Sequence, residues 1–246
     1  ELRTKGDPIL QVDSGDLLFG RATVPEPEKA QRALKAELLL AAQAALGLDA
    51  LTPGDGDLVF GLDFLVDGAA KHGLPYVSAN LARPDDTLVF PATRVVQVGS
   101  LTLGITGAMG TELGVTDARV LDPIPALQGA VAELRGKDVD LVIVLSHLGS
   151  RDDAELAKQV PGIDIVFGGH DRKHLESPNV VGGTAIFQAG SRGKHVGQAT
   201  FELVQGGSGW SDPAGRAKAL RQQTSLKRQV DRYRTQLEEA ADDKAK

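Results

Sequence analysis

The sequence predicts an α/β fold, in which helices cover the outer faces of β-sheets. Short apolar runs rich in Val, Ile and Leu alternate along the chain with longer amphipathic segments, and such runs are typical of strands that are buried on both faces. Turns that contain glycine separate many of these segments. Aromatic residues make up only 4% of the 246 residues, so aliphatic side chains must form the core.

The first half of the chain is predicted to open with a buried strand at residues 8–12, which leads into a polar loop at residues 13–16. A helix is predicted at residues 27–46, because Pro27 stands in its first turn and Gly47 follows its last residue. The remaining predicted elements of this half are a helix at residues 61–72 and strands at residues 76–78, 94–98 and 101–107.

The second half repeats the alternation of strands and helices. A helix is predicted at residues 124–135, with Pro125 near its start, and another at residues 152–160, where acidic residues in the first turn favour the helix dipole. The predicted strands lie at residues 139–146, 163–167, 184–188 and 197–204, with the last two forming an antiparallel pair.

Three regions are predicted: a main domain at residues 1–205, a linker rich in Gly, Ser and Pro at residues 206–215, and a C-terminal helix at residues 216–246. Apolar residues of this helix recur at spacings of 4, 3, 4 and 3, which is typical of a short coiled coil. These residues are Leu226, Val230, Tyr233, Leu237 and Ala240. The helix either packs back on the domain or mediates self-association or an inter-domain contact.

Composition excludes several classes of site. The chain has no cysteine, which rules out disulfides, thiolate zinc sites and a cysteine nucleophile. Its net charge of −6 provides no general attraction to a nucleic acid polymer. No apolar run approaches the roughly 20 residues that a membrane helix needs. The chain begins with Glu1 and shows no signal peptide.

Polar side chains capable of binding a metal follow three of the predicted strands directly, in the loops at residues 13–16, 146–149 and 168–171. Ligands at the carboxyl ends of strands in α/β proteins commonly converge on one site. A carboxylate with two imidazoles suits Zn²⁺, Mn²⁺ or Fe better than Ca²⁺. Taken singly, an aspartate in such a loop is most often a turn residue, and a single histidine after a strand is more often structural than a metal ligand. Three such loops in one chain favour the metal site.

Six segments, in the same order, resemble the metallophosphatase domain of 5′-nucleotidases and their UshA-type bacterial relatives. Residues 13–16 resemble the D-x-G-D loop of that family, and residues 54–61 resemble its G-N-H-E-F-D-x-G segment. The other four segments lie at residues 74–81, 142–149, 163–170 and 188–193. The resemblance covers about residues 5–204 and implies a four-layer α/β/β/α sandwich with two mixed sheets.

The resemblance also implies a set of site residues. Asp16 corresponds to the carboxylate that bridges two ions, and His147 and His170 correspond to histidine ligands. Asp55 replaces an asparagine ligand and can still bind a metal. Arg172 and Asn80 are predicted to contact an anionic substrate.

Three departures from the family pattern are evident. Gly56 replaces the histidine that assists the leaving oxygen, and Arg172 replaces the second histidine of G-H-x-H, with His174 as a candidate substitute ligand. No D-x-H precedes Asp16, so we expect either that further residues lie upstream of Glu1 in the natural protein or that the local fold is rearranged. The remaining ligands suffice for one divalent ion of Mn, Zn or Fe, rather than for a firmly held pair.

Three functions are compatible with these residues. The first is metal-dependent hydrolysis of a small phosphorylated or anionic substrate at an altered site. The second is a non-catalytic, degenerate relative that binds an anion or a partner protein. The third is hydrolysis of a sulfur ester, as in relatives that act in thiosulfate oxidation and alter the same G-N-H segment. The resemblance further implies a periplasmic or exported protein.

Overall fold

The structure, a computed structural model, describes residues 7–20, 23–110, 116–204 and 209–244. It divides into two compact units, the first ending at Gly209 and the second beginning at Trp210. The elements, in chain order, are β1 (Val12–Asp13), α1 (Lys29–Leu46), β2 (Ala50–Leu51), α2 (Leu62–His72), β3 (Leu81–Ala82), β4 (Thr93–Val98), β5 (Leu101–Met109), β6 (Arg119–Val120), α3 (Pro123–Arg135), β7 (Leu141–His147), α4 (Ser150–Gln159), β8 (Ile165–Gly168), β9 (Asn179–Val181), β10 (Thr184–Gln188) and α5 (Pro213–Lys244).

A six-stranded sheet in the order β4-β5-β7-β8-β10-β9 organises the first unit. Strands β5, β7, β8 and β10 are parallel to their neighbours within this group, whereas the outer strands β4 and β9 run antiparallel. Two further pairs are short: β1 with β2 in parallel, and β3 with β6 antiparallel. The α/β class with mixed strand directions is confirmed. Among the described residues, two separate pairs take the place of the second sheet of the predicted sandwich.

Aliphatic side chains form the core, as the composition requires. On one side of the large sheet, Val142 and Val144 of β7 pack with Leu127 and Leu134 of α3. A second cluster joins α1, α2 and the 3₁₀ helix Asp55–Leu58, whose Leu58 is buried in it. The sheet and the helical layer therefore each have an apolar core, and the polar loops lie where strands end.

Most predicted helices and strands of the first unit are present, with boundaries shifted by at most two residues. Helix α1 begins two residues later than predicted, after a 3₁₀ turn at Glu26–Glu28, and ends at Gly47 with a left-handed φ of 66°. The strand predicted at residues 139–146 is β7, which is buried along almost its whole length.

Three strand predictions are wrong. At residues 8–12 only Val12 is in a strand, since β1 contains two residues. Residues 76–78 form no strand, and Tyr76 makes only an isolated parallel β-bridge with Leu51. Residues 197–204 form no strand, because β9 occupies the antiparallel position beside β10. Gly182 and Gly183, both with positive φ, make the tight turn between these two strands.

Helix α5 begins three residues before the predicted start and extends to Lys244. Leu226, Val230 and Tyr233 of the predicted seam are 54–63% exposed. The side chains of Leu237 and Ala240 lie outside the described residues. Within the described ranges, every helix is too short or too polar to cross a membrane.

Candidate metal centre

Three polar loops and a 3₁₀ helix meet at one edge of the large sheet. His147 ends β7, and His170 follows the end of the neighbouring parallel strand β8. Asp16 follows β1, and Asp55 opens the 3₁₀ helix. Because the carboxyl ends of neighbouring parallel strands share an edge, the two histidines are brought close together.

The side chains of these residues converge on a small volume. His147 Nε2 lies 3.3 Å from Asp16 Oδ1 and 3.3 Å from Asp55 Oδ1. His170 Nδ1 lies 3.2 Å from Asp55 Oδ1. One potential ligand atom from each of Asp55, His147 and His170 lies within 4.8 Å of the others. The structure thus brings together all four residues for which a metal role is predicted, and their role as ligands stays a prediction.

The imidazole of His147 is oriented by the backbone. Its Nδ1 lies 2.7 Å from the carbonyl oxygen of Ser14, which can only accept a hydrogen bond, so Nδ1 carries the proton. Its Nε2 therefore faces the two carboxylates. This atom is buried and has no hydrogen-bond partner among the described residues. A buried polar atom that lacks a partner is rare, and a histidine oriented through its other nitrogen is the usual arrangement of a metal ligand. The donor set fits a divalent cation.

The electrostatics of the cluster are dominated by carboxylates around one imidazole. Burial by itself would lower the pKa of His147, yet the carboxylates of Asp16 and Asp55, each 3.3 Å from Nε2, outweigh it and raise the pKa to about 10. His147 in turn lowers the pKa of Asp55. The site therefore favours a positive charge at Nε2, which a proton or a cation can supply in competition.

Glycines allow the loops to approach each other this closely. Gly15 has a φ of 90°, and a Cβ at this position would lie 2.6 Å from Gly54 N and 2.9 Å from His147 Nδ1. A Cβ at Gly56 would lie 2.7 Å from Asp16 Oδ1 and closer still to the carbonyl oxygen of Phe19. This backbone arrangement therefore leaves no room for a side chain at Gly56.

One residue of the site, Asp57, is not predicted from the sequence. Its carboxylate is fully buried and accepts three backbone hydrogen bonds, from Asp16, Leu18 and Gly54. Burial raises the pKa of Asp57 to about 6, against the lowering effect of these hydrogen bonds. The sequence signal was an acidic residue three positions after Gly54, a spacing typical of a side chain that caps a helix start.

The cluster opens into a polar cleft of about 390 Å³, part of which is open solvent. Its lining includes Asp16, Asp55, Gly56, His170 and Arg172. No ion pair of Arg172 occurs among the described residues. The side chain of Arg172 lines the cleft beside the candidate ligands, and its contact with an anion stays a prediction.

Asn80 does not line this cleft, which corrects the prediction that it contacts a substrate. It is fully buried, its amide group donates to the carbonyl oxygens of Met109 and Leu121, and its Oδ1 accepts from Met109 N. Its polar atoms are thus committed to the backbone. His174, the candidate substitute ligand, stacks on His195 with ring centroids 4.7 Å apart and does not belong to the metal cluster.

In comparisons with known proteins, the chain is similar to 5′-nucleotidases in both sequence and structure. No family model matches the chain. A snake venom 5′-nucleotidase from Crotalus adamanteus is 28% identical over 71% of this chain and 30% of its own length. A 5′-nucleotidase precursor from Thermus thermophilus has 27% identity and a TM-score of 0.64, covering 76% of this chain and 41% of that one.

The fold is also similar to that of the sulfate thiohydrolase SoxB from Thermus thermophilus. The TM-score is 0.66 at 23% identity, over 77% of this chain and 35% of that one. The chain spans less than half the length of each of these three proteins.

Proposed function

Because the chain belongs to the metallophosphatase family of the 5′-nucleotidases, we propose that it binds one divalent cation and hydrolyses a small phosphate ester. The observation that carries this proposal is the buried Nε2 of His147, which forms no hydrogen bond among the described residues but lies 3.3 Å from a carboxylate oxygen of both Asp16 and Asp55. A buried imidazole nitrogen that faces two carboxylates calls for a positive charge at that point, which a bound cation would supply.

Four side chains would hold the cation: Asp16, Asp55, His147 and His170. Two carboxylates and two imidazoles suit Mn²⁺, Zn²⁺ or Fe, and four ligands suffice for one ion. Such an ion supplies Lewis-acid chemistry, in that it polarises the phosphoryl group and activates a water molecule for attack. The partial exposure of Asp16 and Asp55 leaves the cleft side of the cluster accessible to substrate.

Arg172 supplies the second positive charge of the proposed site. Its planar guanidinium can bind two oxygens of a phosphate at once. No side chain at Gly56 can protonate the leaving oxygen, so leaving groups that depart without a proton are the preferred substrates. Aryl phosphate esters have this property, whereas alkyl esters need acid assistance.

A hydrolysis assay tests this function. The metal-free protein is loaded with Mn²⁺ and incubated with p-nitrophenyl phosphate, bis-p-nitrophenyl phosphate and 5′-AMP. Turnover is expected for the aryl esters, and Asp16→Asn should lower it by at least about 100-fold because the carboxylate helps to hold the ion. Asp152→Asn is the matched control, since Asp152 lies on α4 away from the cleft and pairs with Arg151. Absence of turnover with every ester contradicts the proposal and favours a non-catalytic relative.

Sulfur esters are the second candidate substrates. The fold similarity to a sulfate thiohydrolase supports them, and a site without a side chain at Gly56 tolerates a leaving group that needs no proton. Parallel incubation with an S-sulfonated thiol separates the candidates, because release of sulfate without phosphatase activity would favour this second reaction.

Export to a periplasm or out of the cell is also proposed. Support comes from the family resemblance and from the venom origin of one relative. Fractionation of the native cells tests it, and recovery of the protein only in the cytosol would contradict it.

A further inference from the structure

We propose that Asp57 is a positioning residue, which fixes the two candidate carboxylate ligands relative to each other so that one cation can bind both. This inference rests on the proposed cation site, but it concerns contacts that are present without any ion.

The carboxylate of Asp57 joins two loops that are distant in sequence. Its Oδ2 accepts hydrogen bonds from Asp16 N and Gly54 N, both 2.9 Å long, and its Oδ1 accepts from Leu18 N at 2.8 Å. Two of these donors precede Asp57 by 41 and 39 residues, and the third, Gly54, immediately precedes the 3₁₀ helix that contains Asp57. One side chain therefore connects the backbone of Asp16 with the turn that carries Asp55.

A reciprocal contact completes the connection. Gly56 N donates to Asp16 Oδ1 at 2.7 Å, so the Asp16 side chain is also tied to the second loop. Asp55 lies between Gly54 and Gly56, and both of these neighbours take part in the hydrogen bonds. One group of hydrogen bonds, made by the carboxylates of Asp57 and Asp16, thus fixes the backbone on each side of Asp55 and the backbone of Asp16.

Only a carboxylate satisfies these contacts. Three amides need two acceptor oxygens, and asparagine offers one oxygen and an NH₂ group that would face a donor. A glutamate would place an extra methylene at a position that is 0% exposed. Asp57→Asn therefore keeps the shape of the side chain and removes one end of the connection.

The alternative is that Asp57 only stabilises the fold. A binding measurement distinguishes the two, because partners that orient metal ligands typically contribute about 10- to 100-fold to metal affinity. The matched control is Asp164→Asn. Asp164 also accepts a backbone hydrogen bond, from Val142 N at 2.7 Å, but it lies outside the cleft.

The experiment is a titration of the metal-free chain with Mn²⁺, with free Mn²⁺ measured by electron paramagnetic resonance. Asp57→Asn is expected to raise the Kd for Mn²⁺ at least tenfold, whereas Asp164→Asn should lower the melting temperature without changing the Kd. An Asp57→Asn protein that folds and binds Mn²⁺ within about twofold of wild type overturns the inference.

Amide hydrogen exchange on the wild-type protein decides the matter if Asp57→Asn fails to fold. The amides of Asp16, Leu18 and Gly54 are expected to exchange slowly even in the presence of a chelator. Exchange at the rate of open loop amides overturns the inference. A wild-type protein that binds no Mn²⁺ contradicts the proposed function instead, and the same exchange rates then show whether Asp57 joins the loops.

Discussion

Replacement of Gly56 by alanine is expected to destabilise the protein and to weaken cation binding. An added Cβ would lie 2.7 Å from Asp16 Oδ1 and closer still to the backbone carbonyl of Phe19. The carbonyl cannot rotate away as a flexible side chain would, so the loop must shift. Overpacking of this kind costs about 1–3 kcal/mol of unfolding free energy. The same shift moves Asp16 and should lower Mn²⁺ affinity about tenfold.

Urea unfolding of the metal-free protein measures the first effect, and Mn²⁺ titration measures the second. Gly129→Ala is the matched control, because Gly129 lies within α3 and an added methyl would meet nothing within 4 Å. This control should gain about 0.5–1 kcal/mol, the usual advantage of alanine over glycine in a helix. A Gly56→Ala protein as stable as wild type, with unchanged Mn²⁺ affinity, would refute the steric account of this glycine.

Three further predictions address pH, anion binding and association. Burial raises the pKa of Asp153 to about 7. The native state therefore binds more protons than the unfolded state between about pH 4 and pH 7. Consequently, the free energy of unfolding falls by up to about 4 kcal/mol as the pH rises through that window. Asp153→Asn should remove this part of the fall in stability. Thermal unfolding of the chelator-treated wild-type and variant proteins at pH 5 and pH 8 measures the effect, and an equal change in melting temperature for the two proteins would contradict the prediction. Arg172→Ala should raise the KM for an aryl phosphate about 10- to 100-fold, as expected for loss of a charged hydrogen bond, while Mn²⁺ affinity stays unchanged; an unchanged KM would exclude contact with the substrate. Val230→Asp on the exposed face of α5 is expected to lower the apparent mass measured by light scattering, because a charge in a coiled-coil seam is unfavourable; equal masses would argue against association through this helix.

Much of the large sheet could be predicted because its strands are apolar almost throughout. β7 and β8 lie within one to two residues of their predicted starts and ends, and the histidines that follow them converge as parallel neighbours must. The strand predicted at residues 8–12 fails because pairing with β2 involves only Val12 and Asp13. The apolar character of a segment does not indicate how many of its residues will pair with a neighbouring strand.

The site could be predicted as a set of residue types, but not as a set of contacts. Asp16, Asp55, His147 and His170 lie together as expected, whereas Asn80 is turned into the core by backbone donors and acceptors that only tertiary structure brings near it. The role of Asp57 depends on partners about 40 residues away, which no local pattern encodes.

The central claim is that Asp16, Asp55, His147 and His170 hold one divalent cation. Its most direct test is the Mn²⁺ content of the protein after loading and exhaustive dialysis, measured by mass spectrometry of the metal for wild type and Asp55→Ala. We expect about one equivalent per chain for wild type, since four ligands suffice for one ion, and a large loss for the variant. A wild-type protein that retains no Mn²⁺, or a variant that retains as much as wild type, would contradict the claim.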